Sequence, residues 1–173
     1  WRNWCALWKA IFNWKMMKKA KYFALRAILL GVDQAIKQAV RSIPEGMVFF
    51  RVSPFFELER VTNTGAAFSL FSSMQRIVVA LTAALMVFLC VYLAREKTLS
   101  TPARLAVSGL IGGGMGNLID RILFGGVTDY IKLLFMHFPI FNFADICVTL
   151  SVAALMFLLL WDQLNEKTED RHE

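Results

Sequence analysis

The stretch from Gly112 to Asp145, GGGMGNLIDRILFGGVTDYIKLLFMHFPIFNFAD, gathers three aspartates (Asp120, Asp129 and Asp145) with Arg121 and the amides of Asn117 and Asn142. It lies between apolar runs long enough to cross a bilayer. A charged side chain at membrane depth is costly, so charges left without partners there mark candidate functional sites. Asp120 has Arg121 beside it, Asn117 within a turn, and Lys37 of an earlier apolar run as a further partner. Asp33 has Lys37 four residues on, the favourable order for a helical ion pair. Asp129 has a nearby cation only in Lys132, and Asp145 has none within a turn. Two such carboxylates, expected in helices joined by a short connection, can come together. At a few ångströms' separation they cannot easily both ionise, and they share a proton across neutral pH. That pair can split a peptide bond. One carboxylate takes a proton from water as it attacks the carbonyl, and the other protonates the developing oxyanion. Taken singly, each acid has an ordinary use; Asp145, just before an apolar run, suits a helix N-cap.

The elements that must position these groups are apolar helices. Of 173 residues, 57% are hydrophobic and only 18% charged, against about 45–50% apolar in a soluble domain. The fold class expected is an all-α membrane protein of four transmembrane helices, with a small extracytoplasmic β-element between helices 1 and 2. The spans fall near Tyr22 to Val40, Ile77 to Ala94, Ala103 into the central stretch, and Ile146 to Trp161. Gly109, Gly112, Gly113 and Gly116 give small-xxx-small spacing in two registers, suited to close helix packing in lipid. Between the first two spans, VFFRVS and FFELERVT have the composition of short strands, and the loop ends in NTGAAFSLF. Residues 1–21 form a basic, tryptophan-rich extension suited to the membrane surface, or one lying upstream of a start at Met16 or Met17. The peptidase-sized unit covers 22–161, and 162–173 form a polar tail.

Lysine and arginine collect in the extension and around Arg95 to Arg104, which places those segments and both termini in the cytoplasm. Asp129 and Asp145 then sit near the outer surface. The net charge of +6 forms no basic stripe interleaved with exposed aromatics, so nucleic acid is not an expected partner. Cys5, Cys90 and Cys147, with His137 and His172, show no metal-ligand spacing; neither metal nor cofactor is implied.

GGGMGNLIDR, GGVTDY and FNFAD, with NTGAAF upstream and DQAIK in the first span, resemble the bacterial lipoprotein signal peptidases, or signal peptidase II. The resemblance covers all four spans and five motifs in order. It implies a multi-pass aspartic endopeptidase of the bacterial inner membrane, active near the periplasmic or outer face and working as a monomer. It also implies prolipoprotein substrates carrying diacylglycerol, cut just before the lipidated cysteine, contact with membrane lipid, and inhibition by cyclic lipopeptides of the globomycin type. The catalytic pair falls on Asp129 and Asp145. Substrate-binding positions fall on Asn63, Gly65, Asn117, Arg121 and Asn142, and structural polar positions on Asp33, Lys37 and Asp120. Ile36 stands where the family motif usually has Ser or Thr.

Two other classes fit part of the pattern. A small proton or cation pathway also uses intramembrane acids, but here the acids lie at the rim and no inverted repeat is visible. A non-catalytic lipoprotein-binding protein of the same fold would not need both acids of the pair.

Overall fold

The structure, a computed structural model, describes residues 2–64 and 72–169. Its order is α1 (Arg2–Arg41), β1 (Val48–Val52), β2 (Phe56–Asn63), α2 (Ser72–Arg95), α3 (Thr101–Phe124), β3 (Val127–Leu133) and α4 (Phe143–Glu169).

Helix α3 is the hub, packed against α1, α2 and α4. Its glycines explain how. A Cβ at Gly113 would stand 2.6 Å from the Ala144 carbonyl oxygen and 3.0 Å from Cys147 Cβ, so glycine lets α4 approach backbone to backbone. A Cβ at Gly116 would collide with the Asp33 carboxylate of α1, and one at Gly109 with Ser151 of α4. Val107 and Ile111 of α3 form an apolar layer with Leu93 of α2. The helix opens on Ser100, whose hydroxyl accepts from Ala103 N–H at 3.4 Å, with Pro102 in the first turn. It stops at Gly125, whose φ of 72° is the left-handed conformation glycine adopts most readily. The chain turns there directly into β3.

Among the described residues, two helices are long and apolar enough to cross a membrane, Gln75–Arg95 and Phe143–Asn165. Their apolar side chains face outward, Leu81 at 66% exposure and Leu150 at 65%, as lipid-facing surfaces do. Helices α1 and α3 carry the buried charges instead, and that polarity keeps them below the hydropathy of the other two. Helix α1 runs without a break from the basic extension into the span expected at Tyr22 to Val40.

The β-element differs from expectation in one respect. Its first two strands fall where VFFRVS and FFELERVT indicated, but a third comes from between α3 and α4, giving an antiparallel sheet in the order β1-β2-β3. Asp129 therefore lies on a strand and not in a helix. VTDYIKL carries the β-branched and aromatic residues of a strand, and pairs with β2 through Val61 opposite Asp129 and Thr62 opposite Thr128. An ionic bridge ties the three strands: buried Glu57 of β2 pairs with Arg51 of β1 and, at 3.0 Å, with Lys132 of β3. Those two cations hold the Glu57 carboxyl below its usual range.

Candidate active site

Asp129 and Asp145 meet at Asn142. Asn142 is the N-cap of α4: its Oδ1 accepts from Asp145 N–H at 3.0 Å, and its own N–H donates back to Asp145 Oδ2 at 3.1 Å. This is a reciprocal capping box with aspartate at its third helical position, so Asp145 is not itself the N-cap that its place before an apolar run suggested. The Asn142 amide group donates to Asp129 Oδ1 at 2.6 Å and to Asn117 Oδ1 at 3.2 Å. Asn117 donates to Asp145 Oδ1 at 2.7 Å, and Asn63, at the end of β2, to Asp129 Oδ2 at 2.9 Å. Each carboxylate is thus held by neutral amides alone, with no cation in direct contact among the described residues.

The alternation of a strand accounts for the missing cation at Asp129. Lys132 is three residues away, so it lies on the opposite face of β3, where it pairs with Glu57 and with Glu59 at 2.8 Å. Asp129 is 2% exposed. Burial pushes its carboxyl up to about 6, against the hydrogen bonds from Asn63 and Asn142, and the charge of Asp145 adds to the rise.

The other buried acids are neutralised. Lys37 Nζ lies 2.9 Å from Asp33 Oδ2 and 3.6 Å from Asp120 Oδ2, and donates to Asn117 Oδ1 at 2.8 Å. Asp33 Oδ1 accepts from Ala144 N–H at 3.1 Å, placing an anion at the N-terminus of α4. Gln34 bridges Asp33, Asp120 and the Gly116 carbonyl. The sequence offered Arg121 or Lys37 as the partner of Asp120. The structure uses Lys37 and, more closely, Arg41, whose Nη2 lies 2.7 Å from Asp120 Oδ1. Adjacent residues on a helix do not face one another. Arg121 turns instead toward α2, where it lines a groove of about 350 Å³ with Gln75, Arg76, Val79, Ala80 and Ile122, and donates to the Asn117 carbonyl at 3.3 Å.

The structure thus gathers Asn63, Asn117, Asp129, Asn142 and Asp145 at one point, with Asp33, Lys37 and Asp120 directly behind. Arg121 sits one side away, and Gly65 lies outside the described residues, as does most of the NTGAAF motif. Sequence reasoning missed Arg41, Gln34 and Thr128. Arg41 had a visible signal, since Asp33, Lys37 and Arg41 recur every fourth residue along one helical face.

A helical membrane protein with a buried polar centre beside a small sheet is the class of molecule these observations define. Two solved structures of bacterial membrane enzymes, determined by the in meso method, share the fold at a TM-score of 0.76 each. They are 28% and 27% identical, covering 84% and 82% of this chain and 91% and 93% of theirs. The family described as signal peptidase (SPase) II matches residues 25–161. Relatives include the lipoprotein signal peptidases of Brevibacillus brevis (32% identical over 82% of this chain and 95% of the relative) and Streptococcus pneumoniae (34%, 87% and 99%). That of Bartonella henselae is 38% identical over 83% of this chain and 93% of its own length. The chain belongs to the signal peptidase II family, the membrane peptidases that process the signal peptides of prolipoproteins.

Proposed function

We propose that this protein is an intramembrane aspartic endopeptidase that removes the signal peptide from diacylglyceryl-modified prolipoproteins, cutting just before the lipidated cysteine. The observation that carries this reading is the hydrogen bonding of both Asp129 and Asp145 to Asn142 while every other buried acid near them has a cation. Residues 22–161 form the working unit, with four spans, behind a basic extension (1–21) and ahead of a polar tail (162–173). The protein acts as a monomer in the bacterial inner membrane, termini in the cytoplasm and the dyad near the outer face. Globomycin-type lipopeptides compete with the substrate for the dyad.

In this mechanism Asp129, with its raised proton affinity, holds the shared proton and delivers it to the carbonyl oxygen. Asp145 accepts the proton of the attacking water. The tetrahedral intermediate then collapses: Asp145 gives its proton to the leaving amine nitrogen as the C–N bond breaks. Asp129 takes one back from a hydroxyl of the gem-diol, which restores the dyad. Asn63, Asn117 and Asn142 hold the two carboxyls in register, and with Gly65 and Arg121 they contact the substrate backbone. A proton or cation pathway is a poorer fit: Lys37 and Arg41 already occupy the inner acids.

The assay that tests the reaction pairs the detergent-purified protein with a prolipoprotein prepared with and without its diacylglyceryl group. Release of the signal peptide from the lipidated form alone is expected. No cleavage of either form, by a folded protein, overturns the proposal.

A pH dependence follows from the division of roles. Free enzyme loses the Asp129 proton as pH rises through about 6, so kcat/KM is expected to fall along that limb. In kcat the same limb moves to higher pH, because bound substrate excludes water and further disfavours the charged form. Asn63→Ala removes a hydrogen bond that favours the ionised carboxylate, and its limb is expected at higher pH than that of the wild type. A pH–rate profile with no limb between about 5 and 8 contradicts the assignment of the proton to Asp129.

A further inference from the structure

The height of Asp129 is set from behind its strand. Side chains alternate along β3, so Thr128 turns from the dyad toward α1 and α3. There its N–H donates to Asp120 Oδ2 at 2.9 Å, while its hydroxyl accepts from Arg41 Nε at 3.1 Å. Arg41 Nη2 closes the ring onto Asp120 Oδ1 at 2.7 Å. Three elements therefore meet in one closed set of hydrogen bonds whose β3 member is the residue immediately before Asp129. The ring is rigidly mounted. The Arg41 guanidinium lies 3.9 Å from the centre of the Phe124 ring, and Arg60 of β2 donates to the Arg41 and Ile43 carbonyls at the end of α1.

We infer that Arg41 is a positioning residue for Asp129: it locks β3 to α3 through Thr128 and so fixes the spacing of the two catalytic carboxyls. The inference rests on the dyad proposed above. A planar guanidinium can serve a carboxylate and a hydroxyl at once through two fixed N–H directions, whereas a lysine at this position keeps the charge but loses the fork. A displacement of about 1 Å at a reacting group can cost about a hundredfold in rate, which sets the scale of the effect.

The test combines kinetics with amide hydrogen exchange on the full-length protein. Arg41→Met is expected to lower kcat about a hundredfold with KM within about threefold, and to speed exchange at the Thr128 amide. The strand pair at Leu58 and Ile131, beyond the ring, keeps its wild-type exchange. Arg41→Lys retains the charge for folding and is expected to leave kcat about tenfold low, since only part of the fork's geometry is recovered. Thr128→Val removes only the hydroxyl, lowers kcat about tenfold, and adds nothing further in the Arg41→Lys background, as members of one unit behave. Wild-type kcat and wild-type Thr128 exchange in Arg41→Lys or Thr128→Val overturn the inference, and so does an effect confined to KM. Failure of the dyad itself appears separately, as full activity in Asp129→Asn, and leaves the exchange readout at Thr128 intact.

Discussion

Asparagine in place of either Asp129 or Asp145 is expected to lower the rate of signal-peptide release by about ten-thousandfold or more, with the double variant little worse than either single one. The size follows from what is lost. A positioned acid or base contributes about a hundred- to ten-thousandfold, and electrostatic stabilisation of the developing charge contributes comparably. The lack of additivity is expected because, in the proposed mechanism, the two groups act as one unit on one water. Both substitutions keep the shape of the side chain. At position 145 the amide oxygen can still accept from Asn117 or from the Asn142 N–H that close around Asp145, so the capping box survives in part and the variant is expected to fold. Exposed Asp162 on α4 supplies the control, with Asp162→Asn expected at the wild-type rate. Signal-peptide release from a lipidated precursor gives the rates, and thermal unfolding in detergent shows that each variant is folded. A folded Asp129→Asn or Asp145→Asn enzyme that cleaves at full rate removes the dyad from the mechanism.

Much of this site could be read from charge pairing alone. Asp33 and Lys37 stand one turn apart on α1 and meet at 2.9 Å; helical periodicity predicts that contact without any tertiary information. The isolation of Asp129 and Asp145 from cations was equally visible, though the cause at Asp129 was not. Lys132 looks like a partner in helical register and is not one, because the segment is a strand and an odd separation sends it to the opposite face. The strand itself was hidden by its neighbours, since seven residues between two apolar helices are easily absorbed into one of them. Arg121 misled for a different reason: it is next to Asp120 in sequence, but neighbours on a helix point apart. Besides Lys37, which the sequence did offer, the nearer partner is Arg41, 79 residues away, and only the approach of α1 to α3 over Gly116 brings it there. Sequence gives the inventory of charges; which of them pair is decided by helix packing, and here by glycine.

The second large effect is expected at Lys37. Its ammonium is fully buried and holds together four groups: Asp33, Asp120, Asn117 and, through Asn117, Asp145. Lys37→Met preserves much of the side-chain volume and removes the charge. Asp120 retains Arg41, but Lys37 is the one cation within ion-pair distance of Asp33 among the described residues. An uncompensated buried carboxylate costs about 3–5 kcal/mol, a large part of the roughly 5–15 kcal/mol that holds a typical domain folded. Lys37→Met is therefore expected to unfold at markedly lower temperature or denaturant concentration in detergent. The double variant Lys37→Met with Asp33→Asn is expected to recover most of that loss, because the asparagine oxygen can still accept from Ala144 N–H at the start of α4 while the unpaired charge is gone. Recovery of stability is not expected to bring full activity with it. Asn117 has lost Lys37 at 2.8 Å and keeps only the longer of the two donors that orient its amide toward Asp145, Asn142 at 3.2 Å. A Lys37→Met protein as stable as the wild type would mean that Asp33 has found another way to carry its charge, and that the ionic core behind the dyad does not set the stability of this fold.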